Sequence, residues 1–504
     1  MTERKKYCAN GQWKESKTEK WMDVTDSSTG DVIAQVPCCT AEEVEETIAA
    51  ADAAFQDWGQ LSLSKRTQML FRWRNVLMEH VDELALLCAK ELGKNLDEAR
   101  GDVLKAIEPT EFACGLPFIS QGSASLQVTT GFDTASYRVP LGVIVGIVPF
   151  NFPAMIPWGW MIPLAIATGN TVVLKASSLT PLTSMRILEL FYTEGKFPEG
   201  VVNLVTCSRN ESELFLTDAR VKAITFVGST EIGKHIYSVA AAHGKRVQAQ
   251  CEAKNHALVL EDCDLVSAVN AIVNSTYGCA GMRCMALPVI AVQESIADRF
   301  IALLKKKAMQ LTIGCAYDPG TKLGPVVSAD HKQFVCNWIQ KGLEEGAKLV
   351  LDGRDCVVPG YENGFFIGPT IFDHVEPGMT IGEREVFGPV TLVKRVKDFD
   401  EGIRILNANP YANGAVIFTR NGYYARQFEI LTDGGMVGIN VGIPVPSAYF
   451  PFSGNKDSFF GDLHVLGSDG VRFYTRAKTV TKHWYDEHSR HRKVSTWEGT
   501  VERS

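Results

Sequence analysis

Leu141-Gly142-Val143-Ile144-Val145-Gly146-Ile147-Val148-Pro149-Phe150-Asn151-Phe152-Pro153 decides the fold. Residues 143–148 have the composition of a buried strand, and the run ends where prolines flank a single amide side chain. Further short apolar runs follow at 171–175, 201–205 and 223–227, with helical spacing between them at 184–192, 212–217 and 230–242. This alternation predicts βαβ units and a parallel sheet. It resumes beyond Cys284, with a strand at 289–292, helices near 296–309 and 331–345, and a strand at 348–351. Two successive α/β domains fit it better than one. Residues 123–138 differ: polar and apolar residues alternate around Gly131-Phe132-Asp133, the signature of a hairpin. An exposed two-stranded ribbon is marginal alone, so pairing with another subunit, as a homodimer or homotetramer, is expected.

The 504 residues are 45% hydrophobic and 22% charged, ordinary for a globular protein with large cores. The net charge of -7 is spread along the chain without a basic stripe, which sets nucleic-acid binding aside. The longest apolar run, 141–174, is interrupted by Asn151, Pro153, Pro157, Pro163, Gly169 and Asn170. It reads as strand, loop and core helix, not as a membrane span. Residues 1–13 lack the apolar run of a secretory signal. Thirteen cysteines, mostly within apolar stretches, then read as reduced thiols of a cytoplasmic protein, or of a mitochondrial one if a transit peptide was trimmed. No Cys/His cluster has metal-ligand spacing, so no metal is expected.

Three loops carry candidate chemistry. Cys284 lies in Gly281-Met282-Arg283-Cys284-Met285-Ala286, a small-residue loop beside a cation, where a thiol can be held as the nucleophilic thiolate. Alone, it is one cysteine among thirteen. Asn151 is fixed between Pro149 and Pro153, placed either as a donor to a developing oxyanion or simply as a turn residue. In Phe226-Val227-Gly228-Ser229-Thr230-Glu231-Ile232-Gly233, a strand passes through small residues into a helix whose N–H groups can receive a pyrophosphate. The spacing is not Gly-x-Gly-x-x-Gly, so an ordinary strand-to-helix turn fits it as well.

Taken in order, Pro149 to Pro153, Lys175, Phe226 to Gly233, Cys284 and Glu385-Val386-Phe387-Gly388-Pro389 resemble the aldehyde dehydrogenase superfamily over roughly residues 8–485. Within it, Pro149-Phe150-Asn151, Ala253-Lys254-Asn255-His256 and Arg283-Cys284-Met285-Ala286-Leu287 are most similar to the CoA-acylating branch of methylmalonate- and malonate-semialdehyde dehydrogenases. The resemblance implies a Rossmann-like cofactor domain (1–122 and 141–252), an α/β catalytic domain (253–455) and a small β oligomerisation element (123–140 and 465–488). It implies Cys284 as nucleophile, and Asn151 with a backbone N–H as the oxyanion site. Phe150, Lys175, Ser178, Gly228, Ser229, Gly233, Glu385 and Phe387 would lie against NAD. Arg283 and Lys105 would face the carboxylate of a small aldehyde, and coenzyme A would take the acyl group with loss of CO2.

Several positions depart from the family pattern. Gln250 stands where hydrolytic relatives have a glutamate base. An amide cannot accept a proton at neutral pH, so water is disfavoured, whereas a thiol is already a few per cent ionised. Lys105 replaces an arginine and loses its bidentate fork. Ser178 replaces an acid that would repel a 2′-phosphate, which opens the cleft to NADP as well as NAD. Glu252 replaces a glycine and either disturbs its loop or supplies the missing base. Met282 replaces a common glutamine. Two other readings stay open: a hydrolytic dehydrogenase giving a free acid, and a non-catalytic scaffold on the same fold.

Overall fold

The computed structural model describes residues 2–484. Five parallel strands form the centre of the first sheet: β1 (Val143–Ile147), β2 (Thr171–Lys175), β3 (Val202–Val205), β4 (Val221–Val227) and β5 (Arg246–Gln250). Their order is β3-β2-β1-β4-β5, the doubly wound order in which ligands bind at the reversal between β1 and β4. Antiparallel strands extend both edges. Tyr7–Ala9 pairs with β3, and Phe459–Gly461 with β5.

Alternate residues of the strands serve opposite faces. Ile144, Val172, Leu174 and Leu204 enter one buried cluster, and Val143, Val145, Val173 and Val205 another. Helices therefore cover both faces, and each fully buried aliphatic side chain contributes roughly 1.5–3 kcal/mol. The covering helices include α1 (Leu96–Cys114), α2 (Leu182–Thr193), α3 (Arg209–Thr217) and α4 (Thr230–Ala242). α3 begins with a Ser208/Glu211 capping box, whereas Ser229 makes no side-chain cap on α4.

Just past β5 the chain enters a second sheet, whose first two strands flank α5 (Leu265–Tyr277). Its strands are β6 (His256–Val259), β7 (Val289–Gln293), β8 (Lys348–Leu351), β9 (Thr370–Asp373), β10 (Val390–Val396), β11 (Gly414–Phe418) and β12 (Met436–Ile439). The order is β8-β9-β10-β7-β6-β11-β12, parallel except for β8 against β9. A further helix, α6 (Ala329–Glu344), follows β7 in the chain. The expected strands are all present, shifted by at most two residues. Strands β5, β6 and β9 to β12 were not among the expected ones. The core helix expected within 141–174 opens as a π-helical turn, Ile156–Met161, before Ile162–Ala167. Pro157 and Pro163 lack the N–H groups that a regular ladder needs.

The hairpin is Ser123–Thr129 against Phe132–Pro140, and its second strand also pairs with Thr475–His483 along its whole length. Residues 485–488 of the expected β element, and the polar tail after them, lie outside the described residues. Among the described residues no helix is long and apolar enough to cross a membrane.

Candidate active site

The loop that carries Cys284 is built by a tight reversal after α5. Cys279, Ala280 and Gly281 all take left-handed backbone angles, with φ of +50°, +51° and +75°. Two of the three bear a Cβ, so the turn is strained and must be held from outside. Glu98 of α1 holds it: both carboxylate oxygens accept the Cys279 N–H at 3.0 Å. At Gly281 a side chain would collide with the Gly388 carbonyl, so the 279–284 and 385–389 loops touch backbone to backbone.

The Cys284 carbonyl accepts two amide bonds, from Asn255 Nδ2 at 2.8 Å and Asn413 Nδ2 at 3.1 Å. Burial, and then the charge of Glu385, push the thiol up to about 12, against the backbone N–H groups of Cys284 and Met285 and the cation of Lys94. That environment favours the neutral thiol over the thiolate. The cation beside it in sequence, Arg283, is spent elsewhere. Its guanidinium donates to Glu98 at 2.8 Å, to the Asn274 carbonyl at 3.3 Å and to Cys279 Sγ at 3.2 Å. In this structure Arg283 braces the loop and does not stand free for a carboxylate. Lys105 is half exposed and pairs with Glu108 at 2.6 Å.

Asn151 is buried beside the same loop and donates from Nδ2 to the Met282 carbonyl at 3.0 Å. One Nδ2 hydrogen remains, and Oδ1 is buried without a partner. This bond, together with the buried packing of the Met282 side chain, gives position 282 a structural role that the sequence did not suggest. Glu385 accepts the Ala253 N–H, and burial plus the neighbouring Glu252 push its carboxyl up to about 8. Phe387 has φ +54°. Its ring meets Phe150 edge-on at 5.8 Å, and its carbonyl is bonded to His331 Nε2 of α6 at 2.8 Å.

A cleft of about 280 Å³ opens at the β1/β4 reversal, lined among others by Pro149, Lys175, Arg209, Gly228 and Ser229. This is where the doubly wound order places a nucleotide, and a side chain at Gly228 would collide with the Phe226 ring. Gly233 lies one turn into α4. A side chain there would strike Cys251 Sγ, so its absence lets the helix pack close on β5. Ser178 lies three residues past the end of β2 and is partly buried.

Gln250, the last residue of β5, is buried. It donates from Nε2 to the Phe452 carbonyl at 3.1 Å, and its Oε1 has no partner. Glu252 neither disturbs its loop nor floats free: its Oε2 accepts the Thr230 N–H at 3.0 Å, capping α4 in place of Ser229. Sequence reasoning missed two further residues. Lys94 is fully buried, pairs with Asp102 at 3.0 Å and sits 3.3 Å from the centre of the Phe152 ring. His331 is the other. Neither lies in a motif, and only the folded chain brings them to the site.

The aldehyde dehydrogenase family model matches residues 13–480. Malonate-semialdehyde dehydrogenase 2 of Oceanobacillus iheyensis is 47% identical over 474 residues, covering 94% of this chain and 97% of that protein. Malonate-semialdehyde dehydrogenase 2 of Geobacillus thermodenitrificans is also 47% identical, covering 95% and 99%. Among solved structures, methylmalonate-semialdehyde dehydrogenase of Oceanimonas doudoroffii superposes with a TM-score of 0.94 at 41% identity, covering 97% of this chain and all of the other. A Sinorhizobium meliloti protein assigned as a methylmalonate-semialdehyde dehydrogenase, solved in complex with NAD, gives 0.94 at 38%, covering 96% and 99%. This chain belongs to the aldehyde dehydrogenase family.

Proposed function

We propose that the chain is an NAD-dependent, CoA-acylating dehydrogenase of malonate or methylmalonate semialdehyde. The observation that carries the acylating part is Gln250. It stands at the end of β5 where a water-activating base would be needed, and its amide is tied to the Phe452 carbonyl. The names borne by the relatives support the substrate class.

The Cys284 thiol gives its proton to solvent and its sulfur attacks the aldehyde carbon. The free Nδ2 hydrogen of Asn151 and a backbone N–H of the 284–285 segment then receive the negative oxygen. The β1/β4 cleft, with Glu385 and Phe387 beside the Cys284 loop, would hold NAD, which would supply the hydride acceptor when bound. The product is a thioester on Cys284. Its carbonyl accepts the electron pair released as the β-carboxylate leaves as CO2, and the resulting enolate takes a proton from solvent at carbon. The thiolate of coenzyme A then displaces Cys284, because Gln250 offers water no base while a thiol ionises unaided. Lys105 is the cation best able to meet the substrate carboxylate, by releasing the partly buried Glu108, which also accepts the Ala448 N–H. Arg283 would first have to abandon Glu98.

We also infer three units: 1–122 with 141–252 for the cofactor, 253–455 for catalysis, and 123–140 with 465–488 for assembly. The strand Ser123–Thr129 has exposed faces and an unpaired edge among the described residues, which supports a homodimer or homotetramer. All thirteen cysteines are free thiols, which suits a reducing, cytoplasmic setting.

The test follows NADH or NADPH formation from malonate semialdehyde and from propanal, with and without coenzyme A. CoA-dependent turnover is expected. CoA-independent turnover would favour the hydrolytic reading, in which Glu252 would have to leave Thr230. No turnover with an unreactive Cys284 would favour a scaffold.

A further inference from the structure

The extended segment that enters β6 separates two small cavities. Successive side chains of such a segment point to opposite sides. Ala253 and Asn255 line a cavity shared with Glu385 and the Cys284 loop. Lys254 and His256 line the other, together with Asn407, Tyr411, Thr432 and Asp433. Asp433 is exposed, whereas Lys254 and His256 are buried, so this second cavity runs from the surface to two interior nitrogens.

Neither nitrogen is used by the fold. Lys254 Nζ and His256 Nε2 are buried without a hydrogen-bond partner. His256 Nδ1 is bonded to the Lys254 carbonyl at 2.7 Å. A carbonyl only accepts, so Nδ1 carries the ring proton and Nε2 is left as an acceptor. A buried ammonium ordinarily sits against a carboxylate, as Lys94 does against Asp102 at 3.0 Å. Lys254 makes no such bond. The charges it feels are Glu385, whose carboxyl accepts the Ala253 N–H, and Lys394 of β10, a like charge that itself faces Glu383 and Glu376. An unpaired cation is disfavoured in the interior, so the neutral amine is preferred. Burial pushes Lys254 down to about 7, with Lys394 adding to the effect and Glu385 opposing it.

A neutral amine is a nucleophile, and the chemistry at Cys284 does not call on it. What can reach it is set by the cavity, which excludes charged reagents and admits a small, neutral, apolar electrophile. Carbon dioxide has those properties, and the reaction proposed above releases it.

We propose that Lys254 is a modification site whose Nζ takes up CO2 as a carbamate, steadied by Lys394 and His256. The amine electron pair forms the N–C bond, one C–O π pair moves onto oxygen, and one proton leaves Nζ for solvent through the cavity mouth. The product is an anion, so the Lys394 charge turns from repulsive to attractive. The remaining N–H has His256 Nε2 as an acceptor in the same cavity. Dissolved CO2 serves as well as CO2 made at Cys284, so the site stands apart from the proposed reaction. Under that reaction the modifier is the protein's own product.

The test equilibrates the full chain with carbon-13 bicarbonate at pH 7.5 and records its carbon-13 NMR spectrum. A carbamate carbon should appear, and Lys254→Met should remove it. In the unaltered chain, trapping with triethyloxonium followed by peptide mass mapping assigns the residue without any variant. Lys254 should carry the ethyl carbamate at least about tenfold above each exposed lysine, because those lysines stay ammonium at that pH. The excess should vanish in the urea-unfolded chain. No carbamate carbon, one that persists in Lys254→Met, or trapping that favours exposed lysines overturns the proposal. Neither readout involves NAD, an aldehyde or coenzyme A, so such a failure leaves the dehydrogenase reading standing.

Discussion

The Glu252 carboxylate accepts the Thr230 N–H at 3.0 Å, so the first turn of α4 is capped from a different strand connection, at the mouth of the nucleotide cleft. A carboxylate at a helix N-terminus is locally favourable. It is unfavourable for an incoming diphosphate, which needs the same N–H groups.

Glu252→Gly should therefore move two quantities in opposite directions. Loss of the cap should cost about 1 kcal/mol of stability in urea unfolding. NAD affinity, read by fluorescence titration, should rise about tenfold, or roughly 1.4 kcal/mol. Unchanged or weaker NAD binding would show that Glu252 does not oppose the diphosphate.

Gln250→Glu should restore a base at the end of β5. Acid release without coenzyme A should rise by about a hundredfold, within the usual range for a positioned general base. The Phe452 carbonyl that now accepts the Gln250 amide would repel a carboxylate and hold its pKa up, which suits a base. A variant that still requires coenzyme A would place the hydrolytic block elsewhere.

His331 should control cofactor binding through the Phe387 carbonyl. His331→Phe keeps a ring between Phe150 and Phe334 but removes the donor that steadies a left-handed Phe387. Loss of such a bond costs about 1 kcal/mol, so the KM for NAD should rise about fivefold. His331→Gln, which can still donate, should recover most of it. Equal defects in both variants would reduce His331 to packing.

Glu385 should set the pH response of the nucleophile. Its carboxylate is among the groups that raise the Cys284 thiol, so Glu385→Gln should speed iodoacetamide labelling at pH 8 several-fold. The same carboxyl, raised to about 8 by burial and Glu252, ionises more easily in the unfolded chain. Its contribution to stability is intact below about pH 4.5 and is lost as pH rises towards 8, at no more than about 1.4 kcal/mol per pH unit. Urea midpoints measured from pH 5 to 8 should fall less steeply in Glu385→Gln than in the parent chain.

The first sheet was the most legible part of the fold, because β1 to β4 are mostly apolar runs separated by helical spacing. Strand β5, Arg246–Gln250, escaped notice because Arg246, Gln248 and Gln250 interrupt it. Its polar side chains are satisfied only in three dimensions, as when Gln248 donates to the Leu463 carbonyl at 2.8 Å. Cys284, Asn151 and Glu385 could be named from their motifs. The partners that set their chemistry could not. Lys94 is about 190 positions from Cys284 in the chain, and Arg283 looked like a free cation until Glu98 of α1 was placed beside it. Local sequence proposes reactive groups, but long-range packing decides which charges they feel.

The two amides that hold the Cys284 carbonyl come from Asn255, just before β6, and Asn413, just before β11. Both lead into strands of the second sheet, so the backbone at Cys284 is anchored by a scaffold separate from the sheet that forms the β1/β4 cleft. A cofactor can arrive or depart without relocating the reacting atom, and an acyl group parked on that sulfur would keep its address while the dinucleotide is exchanged.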